Sequence, residues 1–316
     1  MQLDPQARRF LEQLAAANPP SYPALGVQVA RQLYAARADT NMPSAEVAEV
    51  DDISVEGPGG PLRLRIYRGI GTDPETALPV LVYFHGGGWV VGDLETHDPI
   101  CRELANIAHC AVVSVDYRRS PEHKFPEPVD DAIAATLWVA SNAAALRIDP
   151  ARIAVGGDSA GGALATVTAH VLRDRGGPPL VMQALIYPPV DLLSDTDSHM
   201  DYAEGYGLTR DSVLWFREQY LRDERDAYDW RASPLRASDF SNLPPAFILT
   251  AGFDTLRDEG RLYAEALQAA GVPTTYECFE GMIHGFINIG RYMAAAHHAV
   301  YRVAQALKAV FDPPRR

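Results

Sequence analysis

The sequence Gly-Asp-Ser-Ala-Gly at positions 157–161 places a serine hydroxyl where it could act as a nucleophile. It lies between an apolar, strand-like run at 153–155 and a helix-like stretch at 163–173. A serine on a sharp strand-to-helix turn needs neighbours without side chains, so that helix and strand can pass close together while the hydroxyl projects from the sheet. The pattern therefore predicts that Ser159 is a nucleophile.

A serine hydroxyl is a weak nucleophile at neutral pH and needs a base within hydrogen-bond reach, itself oriented by a third group. Where a serine occupies this kind of turn, the order along the chain is Ser, then Asp or Glu, then His. Asp254 follows an apolar strand at 246–250, and His284 follows another at 274–279. Because parallel strands bring their carboxyl ends to one edge of a sheet, Asp254 and His284 are predicted to converge on Ser159.

Other acids and histidines could fill these roles. Asp191 follows the preceding strand and is the most serious alternative acid, whereas Asp258 is expected to lie inside the helix after the turn. His199 falls in an irregular segment, and His297 and His298 fall on the last helical stretch. Packing or surface roles are expected for these three histidines.

A second motif, His-Gly-Gly-Gly-Trp at 85–89, follows an apolar strand. Acyl transfer builds negative charge on the former carbonyl oxygen, so hydrogen-bond donors must already be aimed at it. Consecutive glycines let backbone N–H groups approach without obstruction. The predicted donors are the N–H of Gly86 or Gly87 and that of Ala160, while His85 is expected to hold the loop by hydrogen bonds. The glycine spacing matches neither common phosphate-binding pattern.

The rest of the chain reads as a scaffold that positions these loops. A hairpin at 47–55 and 62–67 predicts an antiparallel edge. Beyond it, continuous apolar strands alternate with helical stretches, which is typical of an α/β fold with a mostly parallel sheet and helices on both faces. The predicted strands are 79–84, 111–115, 153–155, 184–187, 246–250 and 274–279, and the predicted helices are 99–108, 129–145, 161–173, 256–270 and 293–310.

Two segments depart from this alternation. Two helices are predicted within residues 1–45, and one short helix is predicted near 210–221 within residues 192–231. An insertion between sheet strands lies over their carboxyl ends, where sites form in α/β proteins. Both segments are therefore predicted to form a helical cap on a catalytic domain of residues 46–316. The candidate pocket walls are Trp89, Tyr187, Leu208 and Phe216.

The amino-acid composition and net charge disfavour some classes of binding partner. The net charge of −13 argues against nucleic acid and anionic membranes, and no apolar run approaches the length of a membrane helix. Cys101, Cys110 and Cys278 form an odd set without metal-ligand spacing. They are expected to be buried free thiols in a cytoplasmic protein. No metal site and no cofactor are predicted, because a Ser, Asp and His set with oxyanion donors supplies what hydrolysis requires.

The two motifs together resemble the hormone-sensitive lipase family of α/β-hydrolase esterases. The resemblance runs from about residue 80 to residue 286, and includes the stretches at 115–126 and 254–259. The family usually has Leu-Ala before Pro-Glu in the first of these stretches, whereas this chain has Arg119 and Ser120. The resemblance implies an α/β-hydrolase fold with an N-terminal helical cap and a preference for short to medium acyl esters.

The resulting expectation is a serine carboxylesterase whose nucleophile, acid and base are Ser159, Asp254 and His284. Its partner would be a small-molecule ester, and a homo-oligomer is possible. Two alternatives remain open: an amidase or peptidase with the same three residues, and a non-catalytic ligand-binding relative. The presence of His284 disfavours the second. A true lipase is less expected, because no broad apolar lid is evident.

Overall fold

A computed structural model describes residues 2–312, and this part of the chain is built around an eight-stranded sheet. The strands are β1 (Glu49–Gly57), β2 (Gly60–Arg68), β3 (Leu78–Phe84), β4 (Ala111–Asp116), β5 (Ile148–Asp158), β6 (Leu180–Ile186), β7 (Ala246–Phe253) and β8 (Thr274–Ile283). Their order is β1-β2-β4-β3-β5-β6-β7-β8. All pairs from β4 to β8 are parallel, so the prediction of a mostly parallel sheet is confirmed.

The predicted antiparallel hairpin forms one edge of the sheet. β1 pairs with β2 in antiparallel register from Glu49 opposite Arg68 to Gly57 opposite Gly60, and β2 pairs antiparallel with β4. β1 lies at the end of the strand order and carries four acidic residues and no basic one. The hairpin thus extends the parallel sheet on the side away from β7 and β8.

The helices of the described residues cover both faces of this sheet. They are α1 (Pro5–Ala17), α2 (Tyr22–Leu25), α3 (Val27–Ala36), α4 (Leu94–Ala108), α5 (Glu127–Ser141), α6 (Ala160–Asp174), α7 (Asp197–Asp201), α8 (Arg210–Tyr220), α9 (Arg257–Ala269) and α10 (Ala294–Phe311). Short 3₁₀ turns occur at Arg37–Thr40, Glu224–Tyr228, Pro234–Arg236 and Phe286–Asn288.

Alternate residues of β3 show how the sheet is buried on both sides. Val80, Val82 and Phe84 belong to a hydrophobic core that includes residues of α5, α6 and α9. Leu81 and Tyr83 belong to a second core that includes residues of α4 and α10. Since successive side chains of a strand point to opposite faces, a strand buried on both faces is apolar throughout. This explains why the strands appear in the sequence as continuous apolar runs.

The predicted start of the fourth helix, at Pro99, is wrong. α4 begins five residues earlier, at Leu94. The Asp93 side chain accepts from the Thr96 N–H at 2.9 Å, and the Thr96 hydroxyl accepts from the Asp93 N–H at 2.9 Å. This reciprocal capping box satisfies two helix-end donors and sets the start. The proline is accommodated within the helix instead of beginning it.

β5, β7 and β8 extend beyond their predicted carboxyl ends and reach the predicted site residues, with β7 ending at Phe253 directly before Asp254. β5 runs from Ile148 to Asp158, directly before Ser159, although the apolar run covers only 153–155. β8 continues from the predicted end at residue 279 to Ile283, directly before His284. Polar residues within the β5 and β8 extensions hide the strand ends from an apolarity criterion.

The N-terminal segment forms helices, but not two continuous ones. Asp4 caps α1, whose end at Asn18 adopts a left-handed conformation with φ of 42°. The second predicted helix is divided into α2 and α3 at Gly26, where φ is 69°. On α3, Val29 and Leu33 are 43% and 42% exposed, so their helical spacing does not mark a buried face.

A third, smaller hydrophobic cluster joins the two segments that depart from the α/β alternation. Its buried members are Ala30, Val90, Val91, Trp215 and Phe216. Ala30 belongs to α3, the two valines follow the three glycines after β3, and the aromatic pair belongs to α8. The N-terminal helices and the 192–231 segment therefore pack together on the glycine-containing loop. We call this group the cap cluster.

None of the helices within residues 2–312 combines the length and the apolar character that crossing a membrane requires.

Candidate active site

Ser159 lies on the turn between β5 and α6 in a strained backbone conformation, with φ of 51° and ψ of −123°. This region is unfavourable for a residue with a side chain and persists only where the surroundings impose it. A Cβ added to Gly157 or Gly161 would overlap the carbonyl oxygen of Phe84. The two glycines therefore allow β5 and α6 to approach β3 closely, as the motif predicts.

His284 bridges Ser159 and Asp254. Its Nε2 lies 2.9 Å from the Ser159 hydroxyl oxygen, and its Nδ1 lies 2.7 Å from Oδ2 of Asp254. Asp254 is buried, and its Oδ1 accepts from the Leu256 N–H at 2.9 Å. A proton on Nδ1 donates to the carboxylate and leaves Nε2 free to accept the serine proton. The structure thus brings together the three residues predicted as nucleophile, base and acid.

The alternative acids are engaged elsewhere. Asp191 accepts two hydrogen bonds from Arg236, at 2.7 and 3.0 Å. Asp258 lies in α9 as expected, and its Oδ2 accepts from the Ser198 N–H at 3.0 Å. Within residues 2–312, neither carboxylate is hydrogen-bonded to His284.

The other candidate histidines also have different surroundings. His199 is buried, with Nε2 2.9 Å from Oε1 of Glu259. His297 lies on α10 with Nε2 3.2 Å from a backbone carbonyl oxygen of the preceding loop. The ring of His298, on the same helix, lies 5.6 Å from the ring of Phe279. These contacts are those expected of packing residues.

The three glycines after β3 differ in how their N–H groups are used. The Gly86 N–H donates to Oδ1 of Asp158 at 2.9 Å, so this donor is already satisfied. No hydrogen bond within residues 2–312 uses the backbone N–H of Gly87, Gly88 or Ala160. The geometry thus favours Gly87 over Gly86 as an oxyanion donor. It also adds Gly88, which sequence reasoning missed.

Gly87 and Gly88 both adopt backbone conformations that favour glycine. Gly87 has φ of 119° and Gly88 has φ of 57°. A Cβ on Gly87 would overlap the Val91 carbonyl oxygen, and one on Gly88 would overlap the ring of Phe216. The loop is therefore packed tightly between its own continuation and α8.

Asp158, directly before the nucleophile, is a buried residue to which sequence reasoning assigned no role. Its Oδ1 accepts from the Tyr83 hydroxyl at 2.7 Å and lies 3.2 Å from Nε2 of His97. Its Oδ2 accepts from the Asn288 side chain at 3.3 Å. Together with the bond from Gly86, these contacts tie the glycine loop, α4 and the loop after His284 to the serine turn. Its position directly before Ser159 in the Gly-Asp-Ser-Ala-Gly motif was the sequence feature that could have pointed to this role.

The carboxylate of Asp158 is stabilised in its ionised form. Burial alone would raise its pKa, but the neighbouring His97 and the Tyr83 hydroxyl outweigh burial and lower the pKa to about 2. The charged form therefore stabilises the fold above the ordinary pKa of 3.8. That stabilisation is lost as the pH falls towards 2.

His85 holds the glycine loop. Its Nδ1 lies 2.8 Å from the Gly86 carbonyl oxygen, and its own carbonyl accepts from the Tyr117 hydroxyl at 2.7 Å. Burial, together with His97, lowers the pKa of His85 to about 3. The imidazole is therefore neutral near pH 7, where its Nδ1–H can donate to the carbonyl.

A cavity of about 340 Å³ opens onto Ser159 and His284. All four predicted wall residues line it, namely Trp89, Tyr187, Leu208 and Phe216. The Tyr187 ring lies 4.5 Å from the imidazole of His284, and the Trp89 ring stacks on Tyr220 at 4.1 Å. Sequence reasoning missed the walls contributed by the N-terminal helices, which are Phe10, Leu14, Tyr22 and Tyr34.

Metal and thiol chemistry have no evident site in the described part of the chain. Residues 2–312 contain no group of three or more His, Cys, Asp or Glu side chains that could hold a metal ion. Cys101 and Cys110 are free and buried as expected, whereas Cys278 is free but only partly buried, so the expectation of burial is wrong for it. Burial raises the pKa of the Cys101 and Cys110 thiols, to about 12 for Cys110. The ionised thiolate needed for nucleophilic attack is therefore disfavoured.

Comparison with known proteins shows that this chain is similar to ester hydrolases. A family model described as the alpha/beta hydrolase fold matches residues 81–288. The carboxylic ester hydrolase LipN of Mycobacterium tuberculosis is 41% identical over 296 residues, covering 90% of this chain and 78% of LipN. An arylesterase of Saccharolobus solfataricus is 37% identical over 312 residues, covering 98% of this chain and all of the relative.

The fold of this chain is similar to that of a solved esterase structure along nearly its whole length. The hyperthermophilic esterase from Pyrobaculum calidifontis superimposes with a TM-score of 0.92 at 45% sequence identity. The match covers 98% of this chain and 99% of the esterase.

Replacing Asp158 by Asn tests the buried carboxylate. Because the pKa of Asp158 lies nearly two units below 3.8, Asp158→Asn should lower the free energy of unfolding by about 2 kcal/mol at pH 7. Urea denaturation should show the gap from wild type narrowing as the pH falls from 4 to 2. Asp191→Asn is the control, since its partly exposed pair with Arg236 should contribute about 1 kcal/mol or less. A gap that does not change with pH would contradict the assignment.

Proposed function

This chain belongs to the hormone-sensitive lipase family of α/β-hydrolase esterases and is a carboxylic ester hydrolase, and from that premise we propose that it acts through an acyl-enzyme on Ser159. The observation that carries the proposal is the hydrogen-bonded series from the Ser159 hydroxyl through His284 to Asp254, with distances of 2.9 and 2.7 Å. Both are within the reach that proton transfer requires.

In the first half-reaction, the Ser159 oxygen attacks the ester carbonyl carbon while its proton passes to Nε2 of His284. Asp254 accepts the Nδ1–H bond throughout, which holds the imidazole in the reactive tautomer and stabilises the imidazolium that forms. When the carbon–oxygen bond to the alcohol breaks, His284 returns the proton to the leaving oxygen. The acyl group then remains as an ester on Ser159.

The tetrahedral intermediates carry negative charge on the former carbonyl oxygen. We assign the donors to the backbone N–H groups of Gly87, Gly88 and Ala160, whose hydrogens have no acceptor within residues 2–312. Donors held in place beforehand stabilise developing charge without reorganisation, and loss of one typically costs about 3–4 kcal/mol of transition-state stabilisation. In the second half-reaction water attacks the acyl-enzyme, and the same residues act in the same roles.

The proposed substrate is an ester with a short to medium acyl chain. The cavity of about 340 Å³ is small, and its walls are mainly aromatic and aliphatic side chains. Such walls favour apolar acyl and alcohol groups over charged ones. Residues 1–45 and 192–231 contribute walls on one side, which supports a cap over a catalytic domain formed by the remainder of residues 46–316.

A cytoplasmic location is a further proposal. Free Cys101 and Cys110, both buried, are compatible with a reducing cytoplasm. A homo-oligomer stays a prediction.

Replacing Ser159 by Ala tests the nucleophile. Ser159→Ala should abolish hydrolysis of p-nitrophenyl butyrate while leaving the melting temperature close to that of wild type. A fluorophosphonate should add one adduct to wild type, located on Ser159 by peptide mass spectrometry, and none to the variant. Wild-type turnover by the variant would contradict the proposal.

Replacing Asp254 by Asn tests the orienting acid. Because an amide can present an N–H to Nδ1 and favour the wrong tautomer, Asp254→Asn should reduce kcat by about 10⁴-fold. Asp191→Asn is the matched control and should leave kcat within about twofold of wild type, since this carboxylate bonds to Arg236. A large loss in the control with a small loss in Asp254→Asn would reassign the acid.

A chain-length series tests the acyl preference. The kcat/KM should rise from acetate to butyrate or hexanoate, because each buried methylene contributes about 0.8 kcal/mol. It should fall for dodecanoate and palmitate, which exceed the cavity. A p-nitroanilide of the best acyl group should react far more slowly than the matching p-nitrophenyl ester. A rate that keeps rising to palmitate would overturn the size limit, and equal ester and anilide rates would favour amidase activity.

A further inference from the structure

We propose that Arg31 is a positioning residue that holds the oxyanion loop, residues 86–92, in its active geometry from the N-terminal helices. The inference rests on the proposed oxyanion role of Gly87 and Gly88. It assigns to α3 a part in the chemical step, although α3 contributes none of the proposed reacting groups. The evidence is a set of hydrogen bonds that joins α3 to the backbone of this loop.

The guanidinium of Arg31 joins three acceptors outside its own helix. Its Nε donates to the Val90 carbonyl oxygen at 2.9 Å, and its Nη2 donates to the Ser120 carbonyl oxygen at 2.9 Å. Both terminal nitrogens donate to the Glu122 carboxylate, at 2.9 and 2.6 Å. The Arg31 side chain is only 20% exposed and its bonds to the two carbonyls are partly buried, whereas the Glu122 carboxylate is 46% exposed. A planar guanidinium presents five N–H donors in a fixed fork, whereas a lysine ammonium presents three from a single nitrogen atom.

The two residues whose carbonyls Arg31 binds are themselves hydrogen-bonded to the oxyanion loop, Val90 to Gly87 and Ser120 to Trp89. The N–H of Val90 donates to the Gly87 carbonyl oxygen at 3.0 Å. The N–H of Ser120 donates to the Trp89 carbonyl oxygen at 2.8 Å. The Gly87 carbonyl and the Gly88 N–H belong to one planar peptide unit, so a displacement of Val90 changes the direction of the Gly88 donor.

Hydrophobic packing limits the loop but does not set its rotation. Val90 and Val91 are buried in the cap cluster with Ala30, the residue before Arg31. Apolar contacts are non-directional, so they hold the loop against α3 without fixing where its N–H groups point. Arg31 adds a directional hydrogen bond at Val90, beyond those that His85 and Asp158 make with Gly86. The functional consequence is that α3 and the oxyanion donors move together.

A defect in this contact should affect the transition state more than the bound substrate. The ground-state carbonyl gains little from the donors, whereas the tetrahedral oxyanion depends on their alignment. Misplacement of a supporting group by about 1 Å can cost roughly 100-fold in rate. Loss of Arg31 should therefore lower kcat while leaving KM nearly unchanged.

The structure offers a matched control in Arg152. Its Nε donates to the Asp149 carboxylate at 2.7 Å, and its terminal nitrogens donate to the carbonyl oxygens of Ala77 and Phe311 at 3.2 and 3.1 Å. Its side chain is 29% exposed. It lies seven residues before the nucleophile along β5, which is about 20 Å at the rise of a strand. Arg152→Ala removes the same kinds of bond as Arg31→Ala, far from the oxyanion loop.

The experiment compares Arg31→Ala, Arg31→Lys and Arg152→Ala with wild type, using p-nitrophenyl butyrate kinetics and melting temperature. Arg31→Ala should lose about 10- to 100-fold in kcat with KM within about twofold. The kcat of Arg31→Lys should lie between those of wild type and Arg31→Ala, because the lysine ammonium replaces only some of the hydrogen bonds of the guanidinium. Arg152→Ala should keep kcat within about twofold while losing a similar amount of thermal stability.

Chemical rescue gives a readout that general destabilisation would not produce. Guanidinium chloride, at concentrations well below its denaturing range, should restore part of the kcat of Arg31→Ala, and sodium chloride at equal ionic strength should not. A tetrahedral trifluoromethyl ketone inhibitor should also bind Arg31→Ala more weakly, by the factor lost in kcat/KM. If Arg31→Ala does not fold, Arg31→Lys carries the kinetic and inhibitor tests.

Three results would overturn the proposal: kcat of Arg31→Ala within about twofold of wild type, a loss confined to KM, or an equal loss of kcat in Arg152→Ala. These outcomes are distinct from failure of the proposed function. In that case wild type itself would lack esterase activity or would not be labelled at Ser159 by a fluorophosphonate.

Discussion

The arrangement around the nucleophile depends on one buried charge, the carboxylate of Asp158. It receives hydrogen bonds from Tyr83 at the end of β3, from Gly86 in the oxyanion loop and from Asn288 after His284, and lies beside His97 of α4. Three separate segments, namely the end of β3 with the oxyanion loop, α4 and the loop after His284, therefore converge on the residue before Ser159. Because a buried carboxylate is tolerated only when its oxygens are satisfied, each of these segments is held in place relative to the serine turn.

The proposed chemistry is shared between the sheet and the segments that cover it. β5, β7 and β8 each end directly before Ser159, Asp254 or His284, so the sheet alone defines their spacing. Part of the cavity wall and the outer support of the oxyanion loop come instead from α1–α3 and α8. Substrate fit and donor alignment consequently depend on elements outside the sheet as well as on the strand ends.

Much of the sheet and the three linked residues could be predicted from the sequence, because apolar runs and chain order reflect which strand ends share an edge. The bounds of individual helices and strands were harder to predict. α4 starts at a capping box that a proline obscured, and β5 and β8 include polar residues. The choice between Gly86 and Gly87 could not be made, since it depends on Asp158 taking the Gly86 N–H across 72 positions of sequence. Arg31 was equally invisible, because its partners lie 59 to 91 residues away.

The acidic outer strand β1 bears on how copies of the protein meet. Glu49, Asp51, Asp52 and Glu56 lie on an edge that would otherwise offer free backbone groups to a neighbouring molecule. Two such strands laid side by side would bring carboxylates into opposition, which disfavours open-ended sheet growth between molecules. Glu49 and Asp52 are paired with Arg147 and Arg65, so the repulsion comes mainly from Asp51 and Glu56. Salt that screens these exposed charges therefore weakens the barrier to self-association along this edge.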